Sequence, residues 1–274
     1  MTLPAELIIA RHGEAHCNRE QIVGGPQGCR GLTDRGRRQI ERLAQRLGQE
    51  HHERPIHAIY TTPLRRAQES AAIIGAYLSL DAETVADLAE QDYGTADGRP
   101  WTDVVAEYGD IPALDADRPL AAGGETWRDY LHRSSVAIGE ITALHVGERV
   151  LIVGHGETID AAFHHFLAVP IAGRATAAVA AYHASVTTWV QQPLSWTRPS
   201  AGWRWTLTSH NDTRHLFADA EMTEVSGPVC SATRRPEVGR PIIGSPTLPT
   251  SSPSRARLRD AFQAPQTSSG GVQP

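Results

Sequence analysis

The sequence predicts an α/β domain, a three-layer α/β/α arrangement around a mainly parallel central sheet. Three observations carry that prediction. Short apolar runs of strand length, ELIIAR (6–11), IHAIYT (56–61) and RVLIVG (149–154), fit buried strands. Each is followed by a longer stretch with apolar residues at helical spacing, the alternation expected of βαβ units. Two of the runs are followed by the same tripeptide, His-Gly-Glu, at residues 12–14 and 155–157.

The elements follow in order. After the first strand, Thr33 is placed to cap a helix whose Ile40, Leu43, Ala44 and Leu47 share one face. The second strand, 56–61, leads into a helix over 63–78 carrying Ala67, Ala71, Ile74 and Leu78. An irregular segment is expected from about Asp92 to Gly123. A helix over 125–145, the strand 149–154 and a helix over 157–167 come next. SVTTWVQQ and GWRWTLTS alternate apolar and polar residues, which predicts late strands at a sheet edge. No internal repeat is visible.

Composition bounds the rest. The chain has 274 residues, 40% hydrophobic and 21% charged, with a net charge of -5. Residues 1–225 form the expected domain. Residues 226–274 hold 21 Ser, Pro or Gly among 49 residues, too little apolar surface to offset chain entropy, and are expected to be a disordered tail. Within it RARLRDAF (255–262) reads as a solvated basic run, with a docking helix as the lesser alternative. The tail has six arginines against Glu237 and Asp260, whereas the body has 20 arginines against 29 acids. An acidic body argues against nucleic acid as a partner. No apolar run is long enough to span a bilayer and the first residues do not read as a signal peptide, so a cytoplasmic location is expected. Cys17, Cys29 and Cys230 make no disulfide framework. All 26 basic residues are arginine. Lysine Schiff-base chemistry and Walker-type phosphate loops are therefore excluded. A GC-rich codon bias accounts for most of that arginine.

His12 and His155 stand at the carboxyl ends of predicted parallel strands, the side of an open sheet where ligands bind. A neutral imidazole attacks phosphorus when its other ring nitrogen is pinned as a donor. The transferring phosphoryl group needs donors that stay cationic, which suits arginine. Arg11 adjoins His12, and YTTPLRRAQESA brings Arg65 and Arg66 to a third strand end. The leaving alkoxide needs a proton from a carboxylic acid. Gly13 and Gly156 keep the backbone close to such a group.

LIIARHGEAHCN resembles the Arg-His-Gly signature of the histidine phosphatase superfamily, the phosphoglycerate mutase-like family. GLTDRGRRQ, TTPLRRAQESA, LAEQDYGTADG, LIVGHGETI and SHNDTRHL extend the resemblance in the family's order over about residues 6–217. It implies the phosphoglycerate mutase-like fold and these roles. His12 is the nucleophile that becomes phosphohistidine, and Arg11 is the first phosphate-binding arginine. Arg66 is the second, preferred to Arg65 because it directly precedes Ala67. His155 binds the phosphoryl group and stabilises charge. Glu90 is the proton donor, with Asp92 as its competitor. Asn18 aligns with a phosphate-contacting polar residue, with a loop-capping amide as the alternative. No metal and no cofactor is implied. His51, His52, His164 and His165 read as surface or packing residues.

Glu90 and His155 lie 65 positions apart, the shorter spacing of the family's phosphatases. The expected activity is hydrolysis of a small phosphomonoester. A cofactor-dependent phosphoglycerate mutase and a non-catalytic phospho-ligand module are the alternatives. No nucleic acid or membrane partner is expected, and a homodimer is left open. Residues 16–31 with Gln27 and Arg30, 92–130 with Trp101 and Trp127, and the turn after His155 are expected to line the leaving-group pocket. Arg30 is a candidate for a second anionic group, with an exposed loop arginine as the alternative. The two tryptophans are candidates for stacking, with core packing as the alternative.

Overall fold

The computed structural model describes residues 4–109, 115–172 and 177–217. The expected tail, 226–274, lies outside the described residues. Six strands form one sheet in the order β3-β2-β4-β1-β5-β6. They are β1 (Glu6–Arg11), β2 (Ala58–Thr61), β3 (Ala82–Thr84), β4 (Arg149–Gly154), β5 (Val186–Pro193) and β6 (Trp203–Asp212). Neighbours from β3 to β1 are parallel, whereas β5 and β6 are added antiparallel. The helices are α1 (His16–Glu20), α2 (Asp34–Glu53), α3 (Arg65–Leu78), α4 (Trp101–Tyr108), α5 (Trp127–Leu144) and α6 (Gly156–Leu167).

The three layers follow from the strands' period of two. Ile8 and Ala10 of β1, with Leu151 and Val153 of β4, meet Ile40, Leu43 and Leu47 of α2 and Ile74 of α3. Leu7 and Ile9, with Val150 and Ile152, meet Leu131 and Ile138 of α5 and Ile159 of α6 on the other face. Both central strands are therefore apolar at every turn of the pleat, which is why they read as continuous runs. Each of the Leu, Ile and Val side chains among them contributes roughly 1.5–3 kcal/mol when fully buried. At the opposite end from the histidines, Arg149 bridges Glu6 at 2.9 Å and Glu50 at 2.7 Å, tying β4 to β1 and α2.

Two expectations are corrected. The segment after Asp92 is not irregular throughout. Pro100 sets up the short helix α4, and its Val104 packs on Val23, Ala96 and Leu120 in a small separate cluster. SVTTWVQQ is an interior strand, paired to β1 on one side and β6 on the other; of the two late strands only β6 lies at an edge. Its alternation reflects loss of cover toward its end, where Val190–Pro193 are half-buried. The short strand β3 and the helix α1 carry no pattern long enough to be read from the sequence.

Register brings the histidines together. Arg11 pairs with Gly154 in the parallel β1–β4 ladder, so His12 and His155 leave adjacent strands at the same level. The loop after β1 is then pressed on α2. Thr33 caps that helix by accepting from the Gly36 N–H at 3.0 Å. A Cβ on Gly36 would stand 2.0 Å from the Glu14 carbonyl oxygen, and one on Gly13 would stand 2.3 Å from that of Gly36. Backbone meets backbone there, and neither side can yield by a rotamer change. Gly36→Ala is expected to cost about 1–3 kcal/mol of stability, read as a lower urea midpoint at unchanged slope. An unshifted midpoint would show that loop and helix separate freely.

Candidate active site

His12 is 1% exposed, and its Nδ1 lies 2.7 Å from the Gly13 carbonyl oxygen. A carbonyl only accepts, so Nδ1 carries the proton and Nε2 presents its lone pair. Arg66 donates to that lone pair from Nε at 3.0 Å. Burial, then the charge of Arg66 and the neighbouring His155 and Arg11, hold the imidazole well below the usual histidine range. The ring is therefore neutral, with one nitrogen held as donor and the other as the acceptor that faces Arg66.

Arg66 enters from the first turn of α3, which begins just past the carboxyl end of β2. It is 1% exposed, and its guanidinium also bonds the Gly24 carbonyl at 2.5 Å and the Glu90 carboxylate. Burial is the largest single influence and opposes its charge, but Glu90, together with Cys17 and Cys29, outweighs it and holds Arg66 above the usual arginine range. Arg65, one residue earlier on the helix, faces outward and pairs with Glu69 at 2.7 Å. Arg11 bonds the Ala181 carbonyl, while its buried Nε has no hydrogen-bond partner among the described residues.

His155 follows β4 and caps α6, whose Thr158 accepts from the His155 backbone N–H at 3.0 Å. The N-terminal end of α6, with its positive dipole, therefore starts at this side chain. The His155 ring stands 5.2 Å from that of His12. Its Nε2 is 2.9 Å from the Thr62 hydroxyl, and its unbonded Nδ1 is 3.8 Å from Glu90 Oε2. Burial first, and then Arg66 and Arg11, lower its basicity well below normal.

Glu90 lies on the segment after β3, and α5 fixes that segment by its backbone. Arg133 donates to the carbonyls of Asp87, Ala89 and Glu90 at 2.8, 2.9 and 3.2 Å. Two bonds of 2.7 Å to Glu125 orient its guanidinium. Asp92 stands beyond this grip and accepts from the Gly94 N–H at 2.8 Å. Asn18 Oδ1 accepts from the Ala15 N–H at 3.1 Å, closing the first turn of α1.

The structure thus brings Arg11, His12, Arg66, Glu90 and His155 into one cluster. Trp127 is buried in the core, stacked on Tyr130, and Trp101 packs edge-on against Tyr93. Arg30 pairs with Glu20 in its loop. Two residues of the cluster escaped the sequence reading. His183, whose ring is 5.7 Å from that of His12, has a buried Nε2 without a partner among the described residues and sits beside Arg11. It immediately precedes the strand that runs antiparallel to β1, and knowledge of that pairing was the only signal for it. Arg133 acts on backbone carbonyls, which leaves no trace in the sequence.

Sheet order, paired histidines and buried arginines define a phosphoryl-handling α/β enzyme of the histidine phosphatase class. Residues 7–198 match the family described as Histidine phosphatase superfamily (branch 1), and the chain belongs to it. It is 32% identical over 160 residues to phosphoglycerate mutase-like protein 4 of Arabidopsis thaliana, covering 57% of this chain and 68% of that protein. It is 30% identical to the metal-independent phosphoserine phosphatase of the same plant, covering 62% of this chain and 71% of the relative. Among solved structures it is similar to Bacillus stearothermophilus YhfR, with TM-score 0.65 and 25% identity over 77% of this chain and 99% of that one. It is likewise similar to a mycobacterial glucosyl-3-phosphoglycerate phosphatase complexed with VO3, with TM-score 0.61 and 26% identity over 75% and 98% of the two chains.

The buried histidines make stability depend on pH. His12, His155 and His183 all bind a proton less readily folded than unfolded, burial being the main cause. Between their depressed values and the ordinary value of about 6.5 the unfolded chain holds more protons. Stability is therefore full above about pH 6.5 and declines as the pH falls through that window. Thermal midpoints measured on acidification should fall accordingly, and less steeply in His183→Asn. A midpoint constant across that range would contradict the neutral assignment.

Proposed function

We propose that the chain hydrolyses a small phosphomonoester through a phosphohistidine on His12. The observation that carries this reading is the imidazole itself, neutral, tautomerically fixed and offering Nε2 to a guanidinium. Around it, Arg11 Nε, His155 Nδ1 and His183 Nε2 are buried nitrogens without partners among the described residues. Such groups are costly unless an acceptor-rich ligand satisfies them. A phosphoryl group, with three non-bridging oxygens, is of that kind.

In the first step Nε2 of His12 attacks phosphorus. The bond to the alcohol oxygen breaks and its electron pair stays on that oxygen. Glu90, which gives up its ion pair with Arg66 to the incoming phosphoryl oxygens and takes the proton carried by the phosphomonoester monoanion, passes that proton to the alcohol oxygen. Arg11 and Arg66 balance the charge on the equatorial oxygens. His155, accepting from Thr62 at Nε2, donates from Nδ1. In the second step the Glu90 carboxylate takes a proton from water and the hydroxyl oxygen attacks phosphorus. The P–N pair returns to Nε2, inorganic phosphate leaves, and Glu90 is again protonated. Asn18, in the first turn of α1 after the His12 loop, is assigned a supporting contact to the phosphoryl group.

Relatives named as phosphatases support hydrolysis, and so does the 65-position spacing between Glu90 and His155. The physiological partner is then a small phosphorylated metabolite. No helix among the described residues is long and apolar enough to cross a membrane. His12→Ala is expected to abolish phosphate release and acid-labile labelling of the protein. Glu90→Gln should slow turnover of alkyl phosphates by about 10²–10⁴ while affecting p-nitrophenyl phosphate much less, because nitrophenolate leaves without a proton. Activity that persists in His12→Ala would falsify the nucleophile assignment. Equal losses on both substrates in Glu90→Gln would remove Glu90 as proton donor.

A further inference from the structure

Beside Glu90 the surface opens into a cavity of about 710 Å³, bounded by the segment from Ala86 to Asp92, by Gly123–Glu125 and by Pro63–Arg65. Its charged lining is unbalanced. Asp87, Glu90, Asp92 and Glu125 face only two cations, Arg65 and Arg133.

Both cations are already engaged. Arg133 has its guanidinium on Glu125 and on three backbone carbonyls. Arg65 is 65% exposed and pairs with Glu69. Two further arginines offer no replacement, since Arg30 of the loop before α2 pairs with Glu20 and Arg37 of α2 pairs with Glu69. Asp92 Oδ1 receives a backbone N–H, and neither Asp87 nor Asp92 has a cation at ion-pairing distance among the described residues. The acidic excess on this wall therefore rests on those two residues.

We propose that the alcohol half of the substrate carries no anionic group, and that Asp87 and Asp92 set this preference. The proposal rests on the phosphatase reading and names the substrate class of that same site. The phosphoryl group is matched by Arg11 and Arg66, but a carboxylate or second phosphate beyond the scissile oxygen would lie along the acidic wall with no free donor of positive charge. Its desolvation would go uncompensated. Hydroxyl groups or an ammonium meet carboxylate acceptors there instead. The wall thus selects by repulsion, leaving the phosphate end of the site unchanged.

A matched pair of substrates isolates the effect. Glycerol 3-phosphate and 3-phosphoglycerate differ only in a CH₂OH group against a carboxylate. Both would be assayed on the full chain by phosphate release, with p-nitrophenyl phosphate as the reference for the chemistry. The expected kcat/KM for glycerol 3-phosphate exceeds that for 3-phosphoglycerate by about tenfold or more. Asp92→Asn and Asp87→Asn should each shrink that ratio, by about threefold, and Asn at 92 still offers Oδ1 to the Gly94 N–H. The ratio is internal to each variant, so a loss of folded protein does not disturb it.

An equal or higher kcat/KM for 3-phosphoglycerate, with His12-dependent hydrolysis intact, would overturn this inference and leave the phosphatase reading standing. A preference that neither variant alters would overturn the assignment to Asp87 and Asp92. If none of the three esters shows His12-dependent hydrolysis, the phosphatase reading fails and this inference with it.

Discussion

The contact between the Arg66 guanidinium and the His12 imidazole governs the architecture around it. A permanent positive charge lies against the free nitrogen of a neutral ring, and both are sealed from solvent. Such an arrangement is stable only if the charge is answered and the ring cannot turn. Glu90 and the Gly24 carbonyl answer the charge, and the Gly13 carbonyl holds the ring. Those partners come from the loops after β1 and β3 and from the stretch just after Val23, so the one contact ties three chain segments together.

The requirement reaches down into the sheet. The ring is placed by the parallel register of β1 with β4, and the guanidinium by α3 beginning where β2 ends. A lysine at position 66 would supply one point charge and would lose its proton readily in so buried a place, whereas the guanidinium serves three acceptors and stays charged. A chain without lysine loses nothing here. Where bias supplies arginine everywhere, this position is one where the planar fork is required.

Much of the fold was legible because apolar runs and amphipathic stretches declare themselves locally. Thr33 and the helix behind it, the strand containing Ile8 and Ile9, and the strand containing Leu151 all follow from nearest-neighbour patterns. The short helix α4 and the interior position of β5 depend on partners distant in sequence, and neither has a long enough pattern of its own. The site divides in the same way. Arg11, His12 and His155 could be read because strand ends announce them. His183 could not, because its place beside His12 depends on an antiparallel pairing formed across about 170 residues of chain. Arg133 was hidden for a different reason, since its partners are carbonyls that every residue possesses.

That grip on carbonyls has a consequence for how the molecule can change. Because Arg133 holds the path of residues 87–90 through the backbone, the path does not depend on which side chains the segment carries. Substitutions at 87 or 92 can recolour the cavity wall while the carboxylate of Glu90 keeps its station beside His155. Under the roles proposed for Glu90, Asp87 and Asp92, selectivity and chemistry are thus mechanically uncoupled within six consecutive residues. On those proposed roles, a lineage, or an engineer, can retarget this scaffold to new alcohols by editing the wall while leaving the proposed proton relay in place.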